Sequence, residues 1–160
     1  MTEATVAAVP NREVFMRLAL EAARRGMFAG EPPIGACLVS AGEAVVTLGN
    51  AVIGELDITA HAEMRVIREA CRKMRRLDLT GCSLYVTVEP CLMCWSACHY
   101  AGISAVIFGA GIDDMNAVTG NEMCADPGGM HGSARVEGGC LADECRALLV
   151  AWSENRAVGR

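Results

Sequence analysis

The sequence predicts an α/β fold with a mixed sheet, and two observations lead to this prediction. Short runs rich in β-branched residues alternate with longer segments of helical periodicity. The first two runs are separated by Ala41-Gly42-Glu43, which favours a hairpin, whereas a later pair flanks a helical segment, which favours a parallel unit. With 160 residues, of which 52% are hydrophobic, the chain is expected to form one domain over residues 1–160.

The first half of the chain is predicted to contain two helices that flank the hairpin. Over residues 11–29, apolar side chains recur at spacings of three and four, which predicts an amphipathic helix capped by Asn11. Residues 34–40 and 44–49 predict the paired strands. Residues 61–76 predict a second helix, on which the many basic side chains are expected to be solvated. The predicted buried stripe of this helix consists of Met64, Ile67, Cys71 and Met74.

The second half is predicted to centre on a strand–helix–strand unit. Residues 83–88 and 104–109 predict strands, and residues 91–101 predict the helix between them. A right-handed crossover makes these strands parallel, and we expect both to be central. Residues 113–133 are rich in Gly, Asn and Asp, which indicates a long loop with room for one short helix. Two further elements complete the prediction: a short strand over residues 134–137 and a helix over residues 141–155.

Composition narrows the possible function classes. There are 14 Lys and Arg residues against 19 Asp and Glu residues, a net charge of −5, which disfavours generic binding to long nucleic acid. No apolar run approaches the roughly 20 residues that span a bilayer, and the N-terminus lacks an export signal, so we expect a cytoplasmic protein without membrane contact. The nine cysteines are an odd number, and no disulfide framework is expected. Small buried thiols are expected at Cys37, Cys71, Cys82, Cys140 and Cys145.

Two short segments, each at the start of a predicted helix, contain the chemically active residues. In the second segment, Pro90 fixes the turn into the helix, and a spacing of three places the sulfurs of Cys91 and Cys94 on one helical face. Two such sulfurs can share one tetrahedral metal ion. His61, in the first segment, is available as a third ligand. The sequence therefore predicts a zinc site that leaves one position open for water, as catalytic zinc sites do.

Glu63 is predicted to be the acid–base residue of this site. A carboxylate beside the open position can take a proton from the bound water and return it to a substrate. Zinc lowers the pKa of bound water to about 7, so the nucleophile is hydroxide at neutral pH. A carbon that carries an exocyclic amine in an aromatic amidine suits such a nucleophile, because the tetrahedral intermediate expels ammonia.

The two segments together resemble the zinc site of the cytidine deaminase superfamily. The similarity runs over residues 14–152 and implies a three-layer α/β/α fold with a mixed five-stranded sheet, one Zn2+ per chain and a homodimer. Residues 31–36 and 49–50 resemble pocket segments of bacterial tRNA adenosine deaminases, guanine deaminases and fungal cytosine deaminases. Residues 138–149 are especially similar to the C-terminal stretch of the tRNA enzymes. The resemblance implies substrate-binding roles for Glu31, Asn50, Ala62, Pro90 and Asp114.

The resemblance leaves the substrate open between two kinds of molecule. After the last long strand, the tRNA enzymes have an Arg-Asp, Lys and Gly pattern, whereas this chain has Asp114 at a position where guanine deaminases carry an Asp that contacts the base. The first hypothesis is therefore a free nucleobase or a similar small heterocyclic amidine, guanine-like or cytosine-like. However, Pro33-Ile34-Gly35 departs from the Pro-Phe-Gly of many guanine deaminases. The alternative is a tRNA-specific adenosine deaminase that forms inosine in the anticodon loop.

Simpler structural interpretations exist for several of these residues. Asn50 and Asp114 are ordinary turn residues, and Glu31 could lie in a solvated loop. A third hypothesis is a non-catalytic zinc module whose coordination shell is completed by Cys98 or His99. We expect these two residues to be packing or outer groups instead, because a fourth protein ligand would close the water position.

Overall fold

The computed structural model describes residues 12–125, 129 and 132–158, with side chains described as far as residue 156. The predicted cap Asn11 lies outside these residues, as do residues 126–128, 130 and 131 of the predicted loop. The described elements are, in chain order, α1 (Arg12–Phe28), β1 (Gly35–Ser40), β2 (Glu43–Gly49), α2 (Ala62–Met74), β3 (Cys82–Val88), α3 (Leu92–Tyr100), β4 (Ala105–Ala110), α4 (Ile112–Thr119), β5 (Arg135–Glu137) and α5 (Ala142–Val158).

The strands form one mixed sheet of five strands in the order β2-β1-β3-β4-β5. Strand β1 is antiparallel to β2 and β3, whereas β3, β4 and β5 are parallel. Helices α1 and α5 contact each other and the sheet, and α2 contacts α3 and the sheet. The prediction of a mixed five-stranded sheet between helical layers is confirmed, and β3 is the central strand.

The hairpin between β1 and β2 is tighter than the sequence suggests. Ser40 pairs with Glu43, so only Ala41 and Gly42 form the turn, and Glu43 already belongs to β2. Both turn residues have positive φ angles, 51° and 78°. A two-residue turn with two positive φ angles matches the twist of the strands it connects, which explains the glycine at the second position.

The parallel pair β3–β4 positions the functional region. Its register runs from Ser83 beside Ala105 to Val88 beside Ala110, so the two strands end side by side. The connections that follow Val88 and Ala110 therefore start at the same carboxyl edge of the sheet, which is where ligands bind in open α/β sheets. The buried residues Leu84, Val86, Val106 and Ile107 hold this pair in the core.

The predicted buried stripe of α2 is wrong in detail. The fully buried residues of this helix are Ala62, Glu63, Val66 and Ala70. Ile67, Cys71 and Met74 are partly buried and pack along the edge of the core. The small alanines let the helix approach the sheet closely, and this tertiary contact decides which face is buried. The sequence pattern placed the largest apolar side chains at the centre of that face, and the structure places them at its flank.

The remaining predictions are close to the observed structure. Helix α4 overlaps the predicted loop and begins one residue before it, and its C-cap is Gly120, whose φ of 71° suits this position. Three of the five cysteines expected to be buried are buried, whereas Cys71 and Cys140 are partly exposed. Burial raises the pKa of Cys145 to about 12, so this thiol stays protonated. None of the helices in the described residues has the length and apolarity needed to cross a membrane.

Candidate metal centre and active site

The three predicted metal ligands meet where two helices begin. His61 is the N-cap of α2 and Cys91 is the N-cap of α3, and Cys94 lies in the first turn of α3. N-cap positions usually hold Ser, Thr, Asp or Asn, whose side chains bind the free N–H groups of the first turn. Neither His61 nor Cys91 makes such a hydrogen bond. Both side chains are therefore free to turn towards each other.

The separations between the ligand atoms fit a tetrahedral zinc ion. The Sγ atoms of Cys91 and Cys94 are 3.7 Å apart, and they lie 3.7 and 3.6 Å, respectively, from His61 Nδ1. With Zn–S bonds of about 2.3 Å and a Zn–N bond of about 2.0 Å, tetrahedral angles require about 3.8 Å between the sulfurs and about 3.5 Å from sulfur to nitrogen. The donor set is thus that of a zinc centre with three protein ligands.

A fourth protein ligand is not found among the described residues. Within those residues, the only group of histidine, cysteine and carboxylate side chains close enough to share an ion consists of His61, Cys91 and Cys94. Cys98, one turn further along α3, is 2% exposed and belongs to the hydrophobic core. His99 is exposed. Neither residue completes a closed shell in the described structure, so the third hypothesis, a purely structural zinc module, has no support there.

The sulfurs and the imidazole interact strongly even without a metal. The hydrogen bond between the two sulfurs lowers the pKa of Cys91 to about 4, with a further contribution from His61, although burial opposes this shift. The same hydrogen bond raises the pKa of Cys94. The hydrogen bond with Cys91 raises the pKa of His61. One sulfur is therefore a thiolate at neutral pH, which is the form that binds metal ions.

Glu63 lies in the first turn of α2 and is only 3% exposed. Its Oε2 atom is buried without a hydrogen-bond partner among the described residues. Burial raises the pKa of this carboxyl group to about 7, with His61 acting in the opposite direction. A buried oxygen without a partner costs about 1–3 kcal/mol, which indicates that a polar partner such as water or a substrate completes the site. A carboxyl group with a pKa near neutrality can both accept and donate a proton.

Asn50 connects the end of β2 to the start of α2. Its Oδ1 atom accepts a hydrogen bond of 2.7 Å from the backbone N–H of Ala62, and the side chain is 6% exposed. Asn50 thus supplies the cap that His61 does not provide. Because Oδ1 is committed to Ala62, the Nδ2 group carries the donors that remain available for a ligand.

Glu31 is buried rather than solvated, since only 4% of it is exposed. Its two carboxylate oxygens accept hydrogen bonds from the backbone N–H groups of Ile53 (3.0 Å) and Gly54 (2.6 Å). A further bond of 3.0 Å, from Ala51 N to Ala60 O, closes this segment. Glu31 therefore anchors residues 51–60, the segment that leads from Asn50 to His61.

Pro90 and Asp114 lie at the same edge of the sheet. Pro90 is buried and directly precedes Cys91. Asp114 lies in α4, where its Oδ2 atom accepts a hydrogen bond of 2.9 Å from Gly111 N and forms an ion pair of 3.2 Å with Arg146. The Oδ2 atom of Asp114 is thus occupied by contacts within the protein.

Two polar residues that hold this region together were not predicted from the sequence. Arg65 donates a hydrogen bond of 2.6 Å to the carbonyl of Gly49 and pairs with Glu55 at 3.3 Å. Glu89 accepts a hydrogen bond of 3.0 Å from Ile112 N. The position of Glu89, directly after a buried strand and before Pro90-Cys91, was a usable signal, whereas Arg65 looks in the sequence like any solvated arginine of α2.

A cavity of about 570 Å³ lies between the segment after α1 and helices α4 and α5, and its described lining includes none of the metal ligands and not Glu63. Its lining includes Pro32, which follows Glu31, and Ile53, whose N–H binds Glu31. The opposite wall comes from α4 and α5 and includes Trp152 and Arg156, the latter with its guanidinium 4.7 Å from the centre of the Trp152 ring. The Trp152 ring is 8% exposed and is covered by this guanidinium group, which leaves the Arg156 plane as the group that can meet a planar ligand.

Comparison with known families identifies the class of protein that has this arrangement. A family model described as the cytidine and deoxycytidylate deaminase zinc-binding region matches residues 10–110, which include His61, Glu63, Cys91 and Cys94. The chain therefore belongs to this family of zinc-dependent deaminases, within the cytidine deaminase superfamily. It is an enzyme that hydrolyses a C–N bond and uses one zinc ion per chain.

The chain is similar in sequence to curated enzymes that are named for action on tRNA. The tRNA-specific adenosine deaminase of Aquifex aeolicus is 46% identical over 100 residues, which is 62% of this chain and 66% of the relative. The tRNA-specific adenosine deaminase of Bacillus subtilis is 38% identical over 141 residues, which is 88% of this chain and 87% of the relative.

Solved structures show similarity of two kinds. One structure, from a study of A-to-I editing by tRNA:A34 deaminases, has a TM-score of 0.75 and 35% identity, and covers 85% of this chain and 99% of that chain. A guanine deaminase from Nitrosomonas europaea has a higher TM-score, 0.84, but only 25% identity, and covers 92% of this chain and 87% of that chain. Sequence similarity is thus greater to the first protein, whereas the backbone fits the second more closely.

Proposed function

We propose that this protein is a tRNA-specific adenosine deaminase, which converts adenosine to inosine in an RNA loop and releases ammonia. The observation that carries the proposal is the 38% identity over 88% of the chain to a relative with that name. This reverses the order of the two substrate hypotheses drawn from the sequence, in which Asp114 favoured a small free base.

In the proposed reaction Glu63 moves the protons. When bound, zinc supplies the Lewis acidity that makes water nucleophilic near neutral pH. Oε2 of Glu63 accepts a proton from the attacking water and returns it to the substrate. A C–O bond forms at the purine carbon that carries the amine, the C–N bond at that carbon breaks, and the amine leaves as ammonia. Burial of Glu63 supports this role because it keeps the pKa of the carboxyl group near the pH at which it exchanges protons.

Asn50 is proposed to orient the base. With Oδ1 bound to Ala62 N, its Nδ2 group donates to an acceptor on the ring. The buried residues Ala62 and Pro90 would form apolar walls of the pocket. Glu31 would act on the substrate through the segment it anchors.

The cavity between α4, α5 and the segment after α1 supports recognition of an RNA loop. Proteins that read single-stranded RNA stack unpaired bases on aromatic rings and guanidinium planes, and the guanidinium of Arg156, which covers the buried Trp152 ring, offers such a plane. A net charge of −5 leaves little basic surface for a long phosphate backbone, which fits recognition of a short loop. An enzyme that acts on tRNA would work in the cytoplasm.

Self-association is part of the proposal. The segment over residues 51–60 exposes three large apolar side chains close to the site: Ile53 is 58% exposed, Leu56 is 93% exposed and Ile58 is 77% exposed. Exposed apolar groups of this kind often mark protein interfaces. We expect a homodimer in sedimentation at micromolar concentration, and a monomer there would contradict this part of the proposal.

A second candidate function is deamination of a free purine base. The TM-score of 0.84 to the guanine deaminase favours it. In that case Asp114 would meet the base through Oδ1, since Oδ2 is held by Gly111 and Arg146.

One experiment separates the two candidates. The zinc-loaded protein is incubated with a tRNA anticodon stem-loop and, separately, with guanine, adenine, cytosine and their nucleosides, and ammonia release is measured. The proposal predicts ammonia and inosine from the stem-loop. Turnover of a free base without turnover of the stem-loop would establish the second candidate. The Glu63→Ala variant, checked for one zinc per chain, is the control for contaminating activity.

A further inference from the structure

We propose that Glu89 is a positioning residue. It fixes the zinc-binding loop, residues 89–91, and thereby controls how long zinc stays bound. Strand β3 ends at Val88 and Cys91 caps α3, so Glu89 and Pro90 alone connect the central strand to a metal ligand. The proposal rests on the zinc centre of the proposed function but not on the identity of its substrate.

Glu89 is tied to the neighbouring β4–α4 junction by its backbone and by its side chain. Its N–H donates a hydrogen bond of 2.8 Å to the carbonyl of Ala110, the last residue of β4. Its Oε2 atom accepts a hydrogen bond of 3.0 Å from the N–H of Ile112, the first residue of α4. The first N–H groups of a helix have no partner within the helix and attract negative charge. The carboxylate therefore provides an acceptor for a free N–H group of α4, and the same contact anchors the zinc-binding loop.

Asp114 caps the same helix but does not belong to the zinc-binding loop. Its Oδ2 atom accepts a hydrogen bond of 2.9 Å from Gly111 N and pairs with Arg146. Two carboxylates thus serve adjacent N–H groups at the start of α4. Only Glu89 belongs to the segment that carries Cys91, and this difference provides a matched control.

The anchor matters because the ligand atoms have little freedom. Cys91 Sγ must stay 3.7 Å from both Cys94 Sγ and His61 Nδ1 to share one ion. Pro90 limits the backbone angle before Cys91 but does not fix the loop relative to β4. Without the Glu89 carboxylate, the loop can move away from α4 and the Cys91 sulfur can leave the metal more readily. Groups that support metal ligands in this way typically change metal affinity about 10- to 100-fold.

The test measures zinc release from the zinc-loaded full chain to an excess of a coloured chelator, together with Tm. Glu89→Ala is expected to release zinc about 10- to 100-fold faster than the wild type. Glu89→Gln keeps an oxygen acceptor for Ile112 N and loses only the charge, so its release rate should stay within about fivefold of the wild type. Asp114→Ala should lower Tm because a helix cap is lost, but should leave the release rate unchanged.

A second variant removes the same contact from the opposite side. Ile112→Pro deletes the donor N–H at the first position of α4, where proline is tolerated, and Gly111 already has an extended conformation with φ −75° and ψ 163°. Ile112→Pro should release zinc as fast as Glu89→Ala, and cobalt-loaded samples of both should show an altered sulfur-to-cobalt charge-transfer band.

Equal release rates for Glu89→Ala and Asp114→Ala would mean that Glu89 is only a helix cap, and would overturn the proposal. If Glu89→Ala fails to fold, Ile112→Pro provides the test instead, and slow zinc release from Ile112→Pro would overturn the proposal. Because the assay contains no substrate, its outcome is independent of whether the stem-loop is deaminated.

Discussion

The carboxyl edge of the sheet and the contact between α1 and β1 differ in how they use polar groups. At the carboxyl edge, Cys91 does not cap the N-terminus of α3 with its side chain, and Glu63 keeps a buried oxygen without a partner among the described residues. Each of these features costs stability. At the other contact, Gly35 lies so close to α1 that an added Cβ would overlap the carbonyl oxygen of Ala19.

Stability and chemistry are thus supplied by separate parts of this molecule. At the α1–β1 contact, Gly35 packs against Ala19 and Ala23, which are both fully buried, so this contact contributes through close packing. The carboxyl edge holds the proposed metal ligands and the proposed acid–base residue in a conformation that a purely stable protein would avoid. Substitutions at the carboxyl edge should therefore lower activity more than stability. Substitutions at the α1–β1 contact should lower stability more than activity.

Substitution of Glu63 should cause the greatest loss of activity. Glu63→Gln removes the proton carrier but keeps the size of the side chain, so turnover should fall by about 100- to 10,000-fold. Zinc content should stay near one per chain and Tm should change little. Steady-state kinetics and metal analysis of the same sample provide the measurement. A variant with normal turnover would remove the distinction between the two regions.

Substitution of Gly35 should have the next largest effect, which is a loss of stability. Gly35→Ala forces a methyl group against the backbone of Ala19, and overpacking of this kind destabilises proteins by about 3 kcal/mol. Urea unfolding should show the loss, while the activity of the folded fraction should be close to normal. Unchanged stability would show that α1 can shift at no cost and would contradict the importance given to this contact.

Asn50 is proposed to contribute to both chemistry and stability, and two variants separate these contributions. Asn50→Asp keeps an oxygen acceptor for Ala62 N but loses the Nδ2 donors. We expect near-normal stability and a kcat/KM about tenfold lower, the value of one hydrogen bond of about 1–1.5 kcal/mol to the substrate. Asn50→Ala loses both functions and should also unfold more easily, by about 1 kcal/mol. Equal loss of activity without any difference in stability between the two variants would argue against the capping role.

A modest gain in stability is expected at Gly26 in α1. A Cβ at this position would meet only ordinary contacts, 3.7 Å from Glu31 Cβ and 3.8 Å from Asn50 O. Gly26→Ala should therefore stabilise the protein by about 0.4–1 kcal/mol, because alanine restricts the unfolded chain. Urea unfolding of Gly26→Ala and Gly35→Ala in parallel shows whether the space for a Cβ alone decides if alanine stabilises or destabilises the protein. A destabilised Gly26→Ala variant would mean that it does not.

The order and type of the elements could be predicted from the sequence because local patterns decide them. The strands alternate with periodic helices, and Ala41-Gly42 is a strong turn signal. The buried face of α2 could not be predicted, because close approach of Ala62 and Ala70 to the sheet decides it and apolar periodicity does not report that approach.

The grouping of His61, Cys91 and Cys94 could be predicted because two cysteines three residues apart, together with a histidine at a helix start, form a pattern that is typical of a metal site. The partners of Glu31, Asn50 and Asp114 could not be predicted in this way. Their hydrogen bonds go to backbone N–H groups of segments that only the folded chain brings near, and backbone donors leave no trace in the sequence.

The proposed reaction requires that zinc have three protein ligands, one imidazole and two sulfurs, with Glu63 beside it. Zinc X-ray absorption of the loaded protein measures this ligand set. We expect two sulfur atoms at about 2.3 Å and two lighter nitrogen or oxygen atoms at about 2.0 Å. A third sulfur at zinc would contradict the proposed centre, since Cys98 or another cysteine would then close the position that the reaction needs.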